Sequence, residues 1–236
     1  MIPTAALIDL FGTLVAPFRR SEHSEALRRC ASILKLEFED VHSLWISSFP
    51  DRIRGRFACI ADNFTWISDA LDRPPDRIAL ADAVQVYSGF TLESLRPLPG
   101  AMEGIEWLAA RGVKLGLVTN CAPDIAELWH SSSFSPYFDY CAFSCRIGSC
   151  KPDSLIYETA LREMSAAPGE TVYIGDGSDE ELSGAAACGL TPILLRADLA
   201  NTYDSVRSDV LSWSGPAIGS IMGVTTLADI QFPSLK

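Results

Sequence analysis

The chain has 236 residues, 48% of them hydrophobic and 21% charged, a balance that suits a folded core and excludes wholesale disorder. A formal net charge of −11 argues against a nucleic-acid surface, which needs clustered Lys and Arg. No apolar run reaches the roughly eighteen residues of a membrane span. The start also lacks the basic stretch of a signal peptide, so a cytoplasmic protein is expected.

In chain order, Ala5 to Ile8 is an apolar run of strand length that ends in one carboxylate, Asp9. Gly12 and Thr13 then turn the chain. From about residue 16 to 95 the pattern is helical. Ala26, Leu27, Cys30, Ile33 and Leu34 recur at helical spacing, as do Phe38, Val41, Leu44 and Trp45. Further helices are predicted around Phe57 to Leu71 and Ile78 to Leu95, parted by Pro74-Pro75.

From Pro97 helices and strands alternate. Strands are predicted at Val113 to Thr119, Tyr140 to Ser144, Thr171 to Ile174 and Thr191 to Leu195. Between them run helices marked by Met102, Ile105 and Leu108, by Ile125, Leu128 and Trp129, by Pro152 to Met164, and by Glu180 to Cys188. This alternation implies an α/β fold with a doubly wound parallel sheet. The expected organisation is a core of residues 1–15 and 96–236, with 16–95 inserted as a helical bundle. The tail beyond residue 200 is rich in Ser, Asp and Gly and is expected to wrap the surface.

A parallel sheet gathers the residues just past its strands at one edge. Here that brings together Asp9, Thr119 with Asn120, Lys151 and Asp176. Singly, each has an ordinary explanation as a turn former, helix cap or solvated charge; only their convergence points to a site. The seven cysteines, at 30, 59, 121, 141, 145, 150 and 188, show no C-x-x-C spacing and read as reduced thiols. Cys145 and Cys150 flank the Lys151 loop, but no His lies near in sequence to activate a thiol nucleophile.

The order Asp9-Leu10-Phe11-Gly12-Thr13-Leu14, Leu117-Val118-Thr119-Asn120, Lys151-Pro152-Asp153, Gly175-Asp176-Gly177 resembles the haloacid dehalogenase-like (HAD) hydrolase superfamily. Pro97-Leu98-Pro99-Gly100 and Glu181 to Ala185 leading to Cys188-Gly189-Leu190 fit the same pattern, and the helical insertion looks like the family's C1 cap. The resemblance implies a Rossmann-like core and an Asp9 nucleophile that forms a covalent intermediate. Thr119 and the backbone near Asn120 would hold the transferred group, and Lys151 would neutralise its charge. Asp9, the carbonyl of Phe11 and Asp176 would bind Mg²⁺, with Asp179, Glu180 or Glu181 as an outer acid. Independently of the family, Lys151 is the only positive side chain among motifs that crowd several carboxylates, which favours a bound cation.

The family's phosphatases place a second Asp, the acid/base, where this chain has Phe11. An aromatic residue there is familiar from the 2-haloacid dehalogenases, whose halide leaves unprotonated. Those enzymes, however, carry Ser-x-Asn in place of Gly175-Asp176-Gly177, bind no metal, and use a cap arginine whose position here is Ile46. The expected activity is therefore a Mg²⁺-dependent phosphatase acting on a small anionic phosphorylated metabolite. A metal-free dehalogenase-like hydrolase and a degenerate binding protein are the alternatives, and a monomer or homodimer is expected. Arg52, Arg54 and Arg56 sit near Gly55 between predicted helices, within reach of an anionic substrate, and Arg52 and Arg54 are the candidates for substrate contact. Arg19 and Arg20 sit where the chain enters the helical insertion, an ordinary solvated helix-end charge is the competing explanation for each of these arginines, and His23, His42 and His130 read as structural. The aromatics Trp45, Phe57, Phe64 and Trp66 suit a bundle core and suggest no substrate stack.

Overall fold

The structure is a computed structural model and describes residues 3–198, 200, 202–203 and 207–227. It contains a parallel sheet in the order β3-β2-β1-β4-β5-β6. The strands are β1 (Ala5–Ile8), β2 (Lys114–Thr119), β3 (Tyr140–Phe143), β4 (Thr171–Gly175), β5 (Thr191–Leu195) and β6 (Ala217–Ile218). The first strand lies at the centre, with Ala5 in register with Lys114 on one side and Thr171 on the other. All four residues of β1 are buried, as a strand covered on both faces requires.

Side chains alternate across a strand, so β1 feeds two cores. Ala6 and Ile8 join a cluster with Ile105 and Leu108 of helix α6 (Ala101–Ala109) and Ile125 of α7 (Pro123–Leu128). Ala5 and Leu7 join another with Ile156, Tyr157 and Ala160 of α9 (Ser154–Glu163) and Leu182 and Ala185 of α10 (Glu181–Ala187). The short α8 (Ser144–Ile147) leads off β3, and α11 (Ser208–Leu211) lies in the tail. The chain is thus an α/β fold with helices on both faces of a parallel sheet.

Between β1 and β2 the chain forms α1 (Arg20–Leu34), α2 (Phe38–Ser47), α3 (Phe49–Arg52), α4 (Ile60–Ala70) and α5 (Arg77–Ser94). Leu27, Cys30, Val41, Trp45, Phe64, Ile67 and Tyr87 fill a third cluster confined to these helices. After Pro74-Pro75, Asp76 starts α5 by accepting the amides of Ile78 and Ala79 at 2.9 and 2.8 Å.

Two expectations are corrected. Arg52, expected between helices, is itself the last residue of a short helix, α3. The tail does not merely wrap the surface. It adds β6, and Arg207, Asp209, Ile218, Ile221 and Val224 are buried. Its composition hides this, since a buried Arg or Asp is set by a partner far away in sequence.

His23 on α1 is buried beside Tyr87 and Tyr203, whose hydroxyls lie 3.2 and 2.8 Å from its ring nitrogens. Burial, then Arg52 and His42, push its pKa down from 6.5 to about 3. The folded ring is therefore neutral, and its contribution to stability is present above pH 6.5 and lost as pH falls towards 3. The loss is about 1.4 kcal/mol per pH unit. Denaturant unfolding at pH 7 and pH 5 should show a wild-type loss about 2 kcal/mol larger than that of His23→Gln. Equal losses would contradict this.

Candidate active site at the carboxyl edge of the sheet

Asp9 follows β1 directly and is buried. Leu10 closes the turn, its carbonyl accepting from the amides of Thr13, Leu14 and Val15. Gly12 takes φ +81° inside that turn, and a Cβ there would collide with Oδ2 of Asp176. The glycine thus permits both the backbone angle and the approach of the second carboxylate. Thr13 returns its hydroxyl to Oδ2 of Asp9 at 3.1 Å, and Lys151 donates Nζ to Oδ1 at 2.6 Å.

Lys151 also donates to Oε2 of Glu181 at 2.5 Å. Burial alone would lower the ammonium's pKa, but Asp9 and Glu181 outweigh it and hold the group well above the usual range. Asn120 fixes the loop that presents Lys151. Its Oδ1 accepts the Lys151 amide at 2.8 Å, and its Nδ2 reaches the Lys151 carbonyl at 3.2 Å and Asp179 at 2.7 Å. Thr119 ends β2 and is buried at the same edge.

Of the outer acids, Glu181 is the one at the centre. It is fully buried at the start of α10 and accepts from Lys151, from the Tyr173 hydroxyl at 2.7 Å and from the Gly177 amide at 2.8 Å. Gly175 leaves the room this needs, because a Cβ there would strike Oε1 of Glu181. Asp179 instead bonds Asn120, and Glu180 faces Ser208. Three adjacent acids left the sequence ambiguous; burial selects one.

Oxygens of Asp9, Asp176 and Glu181 lie within 4.8 Å of one another. Burial first, and then Asp9, push the pKa of Asp176 up to about 6 and that of Glu181 up to about 8. Three carboxylates therefore meet two cations, since Arg207 pairs with Asp176 and donates to its carbonyl at 3.0 Å. Lys151 is thus not the only cation at these motifs. Three clustered hard carboxyl oxygens, two of them with pKa values raised by burial and by Asp9, are a donor set that fits Mg²⁺, although Arg207 competes for Asp176. Nothing in the tail's sequence pointed to Arg207.

A cavity of about 510 Å³ opens above Asp9, Thr119, Asn120 and Lys151. Phe11, Phe18, Trp45, Phe49 and Tyr87 give it an aromatic wall, so Trp45 serves both the helical core and the cavity. Phe11 packs edge-on against Phe18 at 4.8 Å and offers no proton. Arg52 lines this cavity at 4% exposure. Its Nη2 donates to the Trp45 carbonyl at 3.0 Å, its guanidinium lies 4.4 Å from the Trp45 ring centre, and its Nε has no hydrogen-bond partner among the described residues. Arg54 does not line the cavity; it is half-exposed and pairs loosely with Asp153 at 3.7 Å. His23 and Asp124 also line the cavity; Asp124 accepts the Thr91 hydroxyl at 2.9 Å.

A model of the haloacid dehalogenase-like hydrolase family matches residues 3–189. The chain is 29% identical over 221 residues to the ribulose-1,5-bisphosphate 5-phosphatase of Halopiger xanaduensis, covering 87% of this chain and 89% of that one. It is 25% identical to the glyceraldehyde 3-phosphate phosphatase of Methanocaldococcus jannaschii, covering 86% and 90%. In fold it is similar to a 2-haloacid dehalogenase from Pseudomonas syringae, with a TM-score of 0.70 at 19% identity over 96% of this chain and 98% of that one. The chain belongs to the haloacid dehalogenase-like hydrolase family, and the curated relatives named above are phosphatases.

Proposed function

We propose that this chain is a Mg²⁺-dependent phosphatase for a small phosphorylated metabolite, with Asp9 as nucleophile. The observation that carries the reading is the buried Asp9 carboxylate, held by Lys151 and Thr13 at the floor of a cavity large enough for such a molecule. An oxygen of Asp9 attacks phosphorus, the bond to the leaving oxygen breaks, and water then hydrolyses the aspartyl phosphate and restores the carboxylate. Thr119 and the chain at Asn120 hold the phosphoryl oxygens, and Lys151 offsets their charge. Asp9, the Phe11 carbonyl and Asp176 would hold Mg²⁺, which when bound supplies further neutralisation of the phosphoryl group. The helical segment, residues 16–95, acts as the cap that selects the substrate.

Arg52 supports a substrate with a second anionic group. It is a buried cation of the cavity wall that makes no ion pair within 4 Å among the described residues, with the Tyr87 hydroxyl and the buried Asp124 carboxylate as its electrostatic partners, whereas Lys151 and Arg207 are both paired at contact distance. Ribulose 1,5-bisphosphate, named for the Halopiger relative, is such a molecule. One observation favours a metal-free reading: Arg207 already neutralises Asp176.

The readings separate cleanly. Calorimetric titration should show Mg²⁺ binding that Asp176→Asn abolishes, and Arg207→Gln should tighten it by about tenfold by removing a competing charge. Absence of Mg²⁺ binding, with turnover that is indifferent to chelators and lost in Arg207→Gln, would establish the metal-free alternative. Asp9→Asn should abolish phosphate release. Phe11→Asp should raise turnover within the ~10²–10⁴-fold that a positioned acid/base supplies, if protonation of the leaving oxygen is limiting. For a bis-anionic ester, Arg52→Gln should raise KM about tenfold or more while kcat is little changed, and an unchanged KM would remove Arg52 from substrate contact.

A further inference from the structure

The turn between β4 and α10 holds Lys151 twice. Glu181 accepts from its ammonium, while Asp179 reaches its main chain through Asn120. The Asn120 side chain has two unlike faces. Its Oδ1 accepts the Lys151 N–H at 2.8 Å, and its Nδ2 donates to Oδ2 of Asp179 at 2.7 Å. Turned over, the amide would present its NH₂ group to that N–H, donor against donor. The Asp179 carboxylate can only accept, so it requires the NH₂ group on its own side and leaves the oxygen for Lys151. The Lys151 carbonyl adds a longer contact to the same Nδ2, at 3.2 Å.

The backbone of the turn is strained in order to aim this acid. Asp179 and Glu180 both take φ 52°, with ψ 31° and 30°, in the left-handed region that disfavours a side chain with a Cβ. Among the described residues the other non-glycine cases, Lys35, Asp72 and Ser165, are single. Each follows the end of a helix, where one left-handed residue is usual. Asp179 and Glu180 are consecutive and lie before a helix, where capping asks for no such angle. Strain of this kind persists where the surroundings over-determine it, and it gathers at functional sites. Burial does not dictate the position of Asp179, which is exposed at the cavity; its defined contact is Asn120. Nor does it belong to the carboxylate cluster, which is formed by Asp9, Asp176 and Glu181.

We propose that Asp179 is a positioning residue for Lys151: through Asn120 it fixes the main chain from which the Lys151 ammonium reaches Asp9. Two residues further on, Glu181 fixes the ammonium itself, so one turn sets both the root and the tip of the side chain. Only the expected effect on turnover rests on the phosphatase reading; the hydrogen bonds themselves lie within the chain.

Hydrogen exchange of the Lys151 amide, followed by NMR on the intact protein, tests this without substrate. It should quicken about tenfold or more in Asp179→Ala and in Asp179→Gly, through loss of a charge-assisted hydrogen bond. Asp179→Gly also relieves the left-handed strain, so it should melt no lower than Asp179→Ala. Asp179→Asn keeps an acceptor oxygen and should restore most of the protection. With p-nitrophenyl phosphate, Asp179→Ala should lower kcat about tenfold at nearly constant KM. Added to Asn120→Ala, the same change should cost nothing further. Wild-type exchange at Lys151 in folded Asp179→Ala, or losses that add in the double variant, would overturn the proposal. A wild-type protein that leaves the ester intact would tell against the phosphatase reading, and the exchange rates would still decide the role of Asp179.

Discussion

Lys151, clamped between Asp9 and Glu181, is the interaction on which the site depends. All three side chains are buried, so none of the charges has bulk water to fall back on. Breaking such a buried pair from one side leaves an uncompensated charge at a cost of about 3–5 kcal/mol. Much of the surrounding chain serves this arrangement. Gly12 and Gly175 clear space for Asp176 and Glu181, Asn120 fixes the backbone of Lys151, and Tyr173 and the Gly177 amide hold Glu181. Arg207 reaches in from the tail to pair with the third carboxylate.

The helical segment adds what the sheet edge lacks. The edge supplies a polar floor of Asp9, Thr119, Asn120 and Lys151, whereas the wall above it is aromatic and carries Arg52. An arginine stacked on Trp45 and Phe49 keeps its flat guanidinium in one orientation. Phe11 sits between floor and wall, against Phe18. Its apolar ring helps shape the cavity and carries no proton to donate.

Much of this was legible in the sequence because strands of a parallel sheet are short apolar runs and their ends share an edge. The runs before Asp9, Thr119 and Asp176 placed these residues at that edge without knowledge of any contact. Glu181 was hidden among Asp179 and Glu180, since only burial tells three consecutive acids apart. Arg207 was hidden further. Its partner is Asp176, and no local pattern links a tail of mixed composition to a strand end. The same holds for β6, whose two residues are too few for any periodicity to register.

The central claim is that Asp9 takes the phosphoryl group from the substrate. Acid-quenched protein from a single turnover of a phosphate monoester, digested and weighed, tests it most directly. The account predicts the mass of one added phosphoryl group on the peptide carrying Asp9, absent from Asp9→Asn. Turnover with that peptide unmodified, or the phosphoryl group found on another peptide, would contradict it.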